Sequence, residues 1–254
     1  MRIKYFSVII TLIIFGSIPL FAQISITQAE SIAETIYTDL STELKNIGIG
    51  EPDIYITDST EINGSVNFRD AFKDMNGLLI NYKISLNVNF KKTTPLMFAV
   101  LVSHEFSHIL GVSTNEGSNS FNTKKTNNIN DQLVSEAEAD YLSLKILLKI
   151  VMNNSKFLEG LKDERHSEIL RQLKVNNPNL KIEKLTVIAS LILATQDNLN
   201  LNNKNKVNMD TPDNSVRKPP EKDEYLNPQS RLDTAIAGVL NKDRPWCWWN
   251  SEKS

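Results

Sequence analysis

The chain has 254 residues, of which 41% are hydrophobic and 23% charged, and its formal net charge is −2 at pH 7. This composition is typical of a globular protein, and the mild acidity gives no reason to expect nucleic acid or an anionic membrane as a partner. The single cysteine, Cys247, cannot form an internal disulfide. We expect it to pack beneath the neighbouring tryptophans, with an intermolecular disulfide as the alternative.

Residues 1–22 are typical of an export signal. Two basic residues precede an apolar run from Tyr5 to Phe21, and Ala22 fits a cleavage point. Leu20 is larger than the residue usual near such a point, so an uncleaved membrane anchor is the alternative. No later segment has the roughly 20 apolar residues that a membrane-spanning helix needs. We therefore predict a signal peptide at 1–22 and a single domain at 23–254, exported to the periplasm or outside the cell.

The pattern after the signal predicts a helix followed by a small sheet. Thr27-Gln-Ala-Glu30 is typical of a capping box, and an apolar stripe at helical spacing continues to about Asn46. Residues 54–57 predict a short strand. Strict alternation from Ile80 to Phe90 predicts a long half-buried antiparallel strand, which follows a turn at Asn76-Gly77.

The next predicted helix carries the most informative motif. Thr94 is a predicted N-cap with Pro95 at the first helical position, Gly111 is expected to end the helix, and the segment between is apolar nearly all round. Within it, His104-Glu105-Phe-Ser-His108 places two imidazoles at i and i+4 on one face, where they can bind one zinc ion together. Glu105 then lies near a metal-bound water. Two structural histidines of an ordinary helix are the alternative.

The second half of the chain is predicted to be helical, with two polar interruptions. Helices are expected near 131–152, 156–162, 164–174, 178–199 and 228–240. Residues 112–130 predict a mobile loop, and residues 200–224 predict a linker-like excursion. The predicted fold class is therefore α+β, mainly α-helical, with a small antiparallel sheet packed on the metal-binding helix.

A third metal ligand is predicted on the second long helix, in the string Glu136-Ala-Glu138-Ala-Asp140. Glu136 and Asp140 are i and i+4 and share a face, whereas Glu138 points elsewhere. This geometry favours Glu136 as the third ligand, with Asp140 accepting the spare N–H of a metal-binding histidine. An acidic, solvated helix face is the alternative.

The combination of His-Glu-x-x-His with Glu-x-x-x-Asp resembles the gluzincin metallopeptidases. The string Glu-Ala-Glu-Ala-Asp is similar to the corresponding motif of the family that includes HtpX and the CAAX prenyl proteases (peptidase family M forty-eight). The resemblance implies a zincin-like fold, one zinc on His104, His108 and Glu136, and an orienting role towards His104 for Asp140.

Two positions depart from the family pattern. Asn227-Pro228 followed by Arg231 looks like the family's late His-Pro-x-x-x-Arg element, with asparagine in place of histidine. Ser107 stands where the family usually has glycine, and we expect it to narrow the cleft. Because this chain has at most its signal as a membrane segment, it looks more like the exported, soluble branch, whose members act on proteins of the bacterial envelope.

Together these residues predict a zinc metalloendopeptidase that acts on polypeptide substrates. Glu105 would take a proton from the zinc-bound water and return it to the leaving amine. Arg231 and His166 are the candidates for stabilising the oxyanion. The alternatives are that Arg231 pairs with a structural carboxylate and that His166 is an unremarkable exposed histidine.

Two other functions stay open. The first is a zinc-stabilised, weakly or non-proteolytic binding or chaperone-like protein of the periplasm, motivated by Ser107 and by a loop at 112–130 placed to cover the cleft. The second is a regulatory protease of the ImmA type. Proteases of that type are cytosolic, so the export signal counts against it.

Overall fold

A computed structural model describes residues 23–115, 129–153, 164–202 and 228–242. These residues form six helices, a mixed three-stranded sheet and a two-stranded sheet, so the protein is α+β and mainly helical. The helices are α1 (Ile26–Asn46), α2 (Pro95–Asn115), α3 (Ile129–Asn153), α4 (Glu164–Asn176), α5 (Ile182–Asn202) and α6 (Pro228–Val239), and the strands are β1 (Asp53–Asp58), β2 (Asn63–Asn67), β3 (Phe72–Lys73), β4 (Leu79–Ile80) and β5 (Lys83–Val88).

Several predictions fall outside the described residues. They are the signal at 1–22, the helix at 156–162, residues 116–128 of the predicted loop, Cys247 and residues 203–224 of the excursion. Residues 200–202, predicted to belong to that excursion, instead form the end of α5. No helix in the described part of the chain is both long enough and apolar enough to cross a membrane.

Helix α1 begins two residues earlier than its sequence pattern predicted. Its capping box is formed by Ser25 and Gln28, not by Thr27 and Glu30. The preceding residue, Ile24, is buried and donates its N–H to the carbonyl of Thr93, which draws the chain into the helix at the earlier of two overlapping capping patterns. The predicted end at Asn46 is confirmed.

The predicted antiparallel sheet is wrong in two respects. The alternating stretch at 80–90 is split into β4 and β5 by Asn81, which has a φ of 60°. In addition, β5 is the central strand, and it pairs parallel with β1 and antiparallel with β2, so the sheet is mixed. An alternating pattern shows which side chains share a face and carries no information on the direction of the neighbouring strand. The turn at Asn76-Gly77 is confirmed, between β3 and β4.

The helix boundaries correct two further predictions. Thr94 caps α2 as predicted, with its hydroxyl accepting from the N–H of Met97 at 3.3 Å. However, Gly111 does not end this helix, which continues to Asn115, because an internal glycine costs only about 1 kcal/mol. Asn177-Pro178 closes α4 instead of opening α5, since the N–H of Asn177 donates to the carbonyl of Leu173.

Helices α2 and α3 cross at small residues, and α6 packs closely on α3. The hydroxyl of Ser103 on α2 donates to the carbonyl of Ser143 on α3 at 2.8 Å. Gly238 on α6 lies so near the carbonyl of Tyr141 that any Cβ there would overlap it. This close approach brings the start of α6, with Arg231, beside the acidic face of α3.

Candidate metal centre

The two histidines of the HExxH motif meet at a buried point of α2. Their Nε2 atoms lie 3.1 Å apart, as the i, i+4 spacing predicts. His104 and Glu105 are buried, and His108 is partly buried. Ligand atoms of His104, Glu105 and His108 lie within 4.8 Å of one another, so this group could hold a metal ion.

Glu136 of α3 reaches the same point from the neighbouring helix. Its Oε2 lies 3.3 Å from Nε2 of His104, and its Oε1 lies 3.4 Å from Nε2 of His108. Glu138 is also buried, but it is not among the described residues that line the adjoining cleft. Of the two glutamates in the motif, the structure therefore brings Glu136 to the histidine nitrogens.

Asp140 contacts His104 at Nδ1, and Arg231 binds Asp140 while its Nη2 also lies 3.4 Å from Oε2 of Glu136 and 3.5 Å from Nε2 of His104. Oδ1 of Asp140 lies 3.1 Å from Nδ1 of His104, so the other ring nitrogen faces His108 and Glu136. Arg231 donates from Nε to Oδ2 of Asp140 at 2.8 Å and from Nη2 to Oδ1 at 2.9 Å. Such a two-bond fork fixes the carboxylate in orientation as well as in position. The sequence left open whether Arg231 stabilises an oxyanion or pairs with a carboxylate. Pairing with Asp140 is its main contact.

Burial and neighbouring charges shift the pKa values of these groups in opposite directions. Burial would raise the pKa of Glu136, but hydrogen bonds to the two histidines hold that pKa well below its usual range. Burial would also raise the pKa of Asp140, but the charge of Arg231 outweighs it and lowers the pKa. Burial lowers the pKa of His104, whereas Asp140 and Glu136 raise it, to about 10. A metal cation here would replace that proton, because coordination requires the neutral imidazole.

Glu105 lies on the cleft side of α2 and packs against β2. A Cβ built on Gly64 would lie 2.5 Å from Cδ and 2.7 Å from Cγ of Glu105, so any side chain at position 64 would displace this carboxylate. Burial raises the pKa of Glu105, and His104 and His108 offset the effect only in part. A carboxyl group with a raised pKa is suited to exchanging protons with a reacting group near neutral pH.

The metal centre opens into a cleft of about 490 Å³. One wall is β2, and the other walls come from α2, α3, α5 and the first turn of α6; they include Leu101, Ser143, Thr195, Asn198 and Pro228. Because the lining contains both polar and apolar side chains, the cleft is suited to a ligand of mixed character.

The open edge of β2 faces this cleft. The carbonyl of Tyr82 accepts a hydrogen bond from β1, so even-numbered residues of β5 bond to β1 and odd-numbered ones to β2. Strands β2 and β5 pair in the register Ser65↔Ser85. The backbone N–H and C=O groups of Gly64 and Val66 therefore point away from the sheet, and Gly64 itself lines the cleft.

Two residues singled out in the sequence do not lie at this cleft. Nε2 of His166 lies 3.1 Å from both the carbonyl of Thr186 and the hydroxyl of Ser190, so it joins α4 to α5 and is not placed to stabilise an oxyanion. Ser107 is fully buried, and its hydroxyl donates to the carbonyl of Ser103 at 2.7 Å. The expectation that Ser107 narrows the cleft is therefore wrong, because its side chain lies on a buried face of α2.

Sequence reasoning missed β2 and Gly64. The pair Asn63-Gly64 is typical of a tight turn, and the glycine interrupts the apolar alternation that indicates a strand. The apolar residues on either side of that pair, Ile62 and Val66, were the remaining signal for this strand.

Comparison with known proteins gives no match. No family model matches the chain, and neither a curated protein nor a solved structure is similar to it at a significant level. The resemblance to the gluzincins accordingly rests on the two short motifs.

Proposed function

We propose that this protein is a zinc-dependent metalloendopeptidase of the gluzincin type, with a zincin-like fold. The observation that carries the proposal is the convergence of the Nε2 atoms of His104 and His108, 3.1 Å apart, with the carboxylate of Glu136, whose two oxygens lie 3.3 and 3.4 Å from them, beside the buried carboxylate of Glu105. Neither an ordinary helix nor a solvated acidic face requires that convergence.

The spacing of these donors supports zinc in particular. Zinc bonds of about 2.0–2.1 Å in a tetrahedral arrangement place neighbouring ligand atoms roughly 3.3–3.4 Å apart. Two imidazole nitrogens and one carboxylate are also a ligand set that catalytic zinc sites use. Zinc held there would supply a Lewis acid that lowers the pKa of a water molecule to about 7 and polarises a substrate carbonyl.

The remaining roles follow from the positions of the side chains. Glu105, held against Gly64, accepts a proton from the attacking water and passes it to the leaving amine. Asp140 and Arg231 keep His104 in the orientation that metal binding requires. Arg231 also lines the cleft, so its charge is available to a substrate oxygen that becomes negative.

The β2 edge supports a polypeptide as the substrate. Gly64 lies beside Glu105, and within the described residues β2 has no strand on its outer edge, so an extended peptide can add to that edge through main-chain hydrogen bonds. The predicted export signal favours substrates among proteins of the cell envelope or outside the cell. The non-proteolytic alternative was based on Ser107 and on the loop at 112–130. Its first basis is removed, because Ser107 does not narrow the cleft.

The test is the substitution Glu105→Gln. We expect the purified wild type to carry one zinc per chain and to cleave unfolded casein or a fluorogenic peptide library. The variant should keep its zinc and lose cleavage, because glutamine cannot carry the proton. Glu183→Gln, at the exposed start of α5, is the matched control and should behave as wild type. Hydrolysis that survives Glu105→Gln would refute the mechanism, and a protein purified without zinc affinity would refute the class.

A further inference from the structure

A second groove lies at the opposite edge of the three-stranded sheet, between α1 and β1. Its volume is about 240 Å³. The apolar lining is contributed by Ala33, Tyr37, Pro52, Ile54 and Ile56, and the polar lining by Glu30, Glu34 and Glu51. Because β2 forms the other edge of the sheet, this groove is separate from the metal cleft.

In the described part of the chain, β1 has no strand beyond its outer edge, so the backbone groups along this groove lack a strand partner. The N–H of Asp53 donates to β5, and so does that of Ser59 just beyond the strand. Odd-numbered residues of β1 therefore face β5, and Ile54 and Ile56 direct their N–H and C=O groups to the open edge. These two isoleucines are also the β1 residues that line the groove. The edge can thus form four further main-chain hydrogen bonds with an added strand.

The groove carries negative charge, and its lining in the described part of the chain includes no lysine or arginine. Glu30 and Glu34 are i and i+4 on α1, and Glu51, just before β1, also lines the groove. The ion pairs of the described residues involve other carboxylates and none of these three. Like charges held together in this way are complementary to a cationic ligand.

We propose that this groove binds an extended, basic segment of a partner polypeptide, which adds to β1 as a fourth strand. Side chains two residues apart on a strand are separated by about 6.8 Å, and Glu30 and Glu34 are separated by about 6 Å along their helix. Lysine or arginine at alternate positions therefore meets the two glutamates, while the aliphatic stems pack on Ile54 and Ile56. A second copy of this chain is the poorer occupant, because it would bring identical glutamates to the same groove.

The binding test uses a fluorescent acetyl-(Lys-Thr)4-amide peptide and measures its anisotropy. The full chain carries Glu105→Gln so that the metal site does not cleave the probe. We expect binding that weakens with salt, no binding of the (Glu-Thr)4 peptide, and about tenfold weaker binding to Glu30→Gln/Glu34→Gln. The matched control is Asp39→Asn, an exposed residue of α1 that does not line the groove, and it should leave the affinity unchanged.

Hydrogen exchange then locates the probe. The amides of Ile54 and Ile56 should become protected, and N-methylation of one alternating set of peptide residues should abolish binding while methylation of the other set is tolerated. Protection of Gly64 and Val66 instead would assign the peptide to the metal cleft and overturn the proposal. Equal affinity for the acidic peptide, or a dimer of this chain that the double substitution dissociates, would also overturn it.

Discussion

Gly64→Ala tests whether β2 fixes the position of Glu105. The added Cβ would lie 2.5 Å from Cδ of Glu105, whereas ordinary contact begins at 3.4 Å, so the carboxyl carbon must move by about 0.9 Å. The Glu105 side chain can make that movement by rotating about its own torsions. An off-rotamer torsion costs about 0.5–1.5 kcal/mol, so we expect the fold to persist with a small loss of stability.

The effect on catalysis should be larger than the effect on stability. A misplacement of about 1 Å at a reacting group can reduce the rate by about 10²-fold, which corresponds to roughly 2.7 kcal/mol in the barrier. The three atoms nearest to the added Cβ all belong to Glu105, so we expect zinc affinity to be unchanged. We therefore expect Gly64→Ala to lower kcat for a fluorogenic peptide by about 10²-fold, with full zinc content and a melting temperature close to that of wild type.

The control is Ser65→Ala, the next residue of β2, whose side chain is exposed on the other face. It should retain full activity. Wild-type turnover by Gly64→Ala would show that Glu105 is not held by this contact, and the reasoning would fail. Loss of zinc or of folded protein in Gly64→Ala would equally contradict it, since the contact would then be structural.

The remaining predictions concern the ligand set and its support. Glu136→Gln should weaken zinc binding by more than about 10²-fold in a chelator competition, whereas Glu138→Gln should leave it within a few-fold; the opposite ranking would exchange the two roles. Arg231→Lys cannot form the two-bond fork on Asp140, so zinc affinity should fall by about 10–100-fold, and an unchanged value would show that the fork does not support the site. Ser107→Gly should lower the free energy of unfolding by about 1 kcal/mol and leave kcat/KM within twofold, and a large gain in activity would restore a role for Ser107 at the cleft.

The local part of the site could be predicted from the sequence. In the HExxH motif and in the Glu136–Asp140 string, the key residues are four positions apart on a helix, so their shared face follows from the helical repeat alone. The structure places both pairs at one point, as the motifs indicate. The N-cap of α2 at Thr94 and the start of α6 at Pro228 could be predicted for the same reason, since helix starts depend on neighbours in the chain.

The direction of the β1–β5 pairing could not be predicted, nor could the contacts made between elements. The period of two in β5 is the same in parallel and antiparallel sheets, so the mixed topology depends on which strands the helices leave free to pair. Gly64 contacts Glu105 because β2 packs against α2 at that point. The sequence around Gly64 is equally typical of a turn, so this contact could not be predicted.

The sequence by itself determined that two imidazoles, the adjacent carboxylate of Glu105 and a carboxylate pair are carried on helices, because their positions follow the helical period. Only the tertiary structure decided which residues those helices meet. Arg231 reaches Asp140 because Gly238 lets α6 approach α3 closely, whereas His166 is held between α4 and α5 and Ser107 is buried. The physical reason is that close packing between helices depends on side-chain volumes summed over a whole interface, which no short stretch of sequence contains.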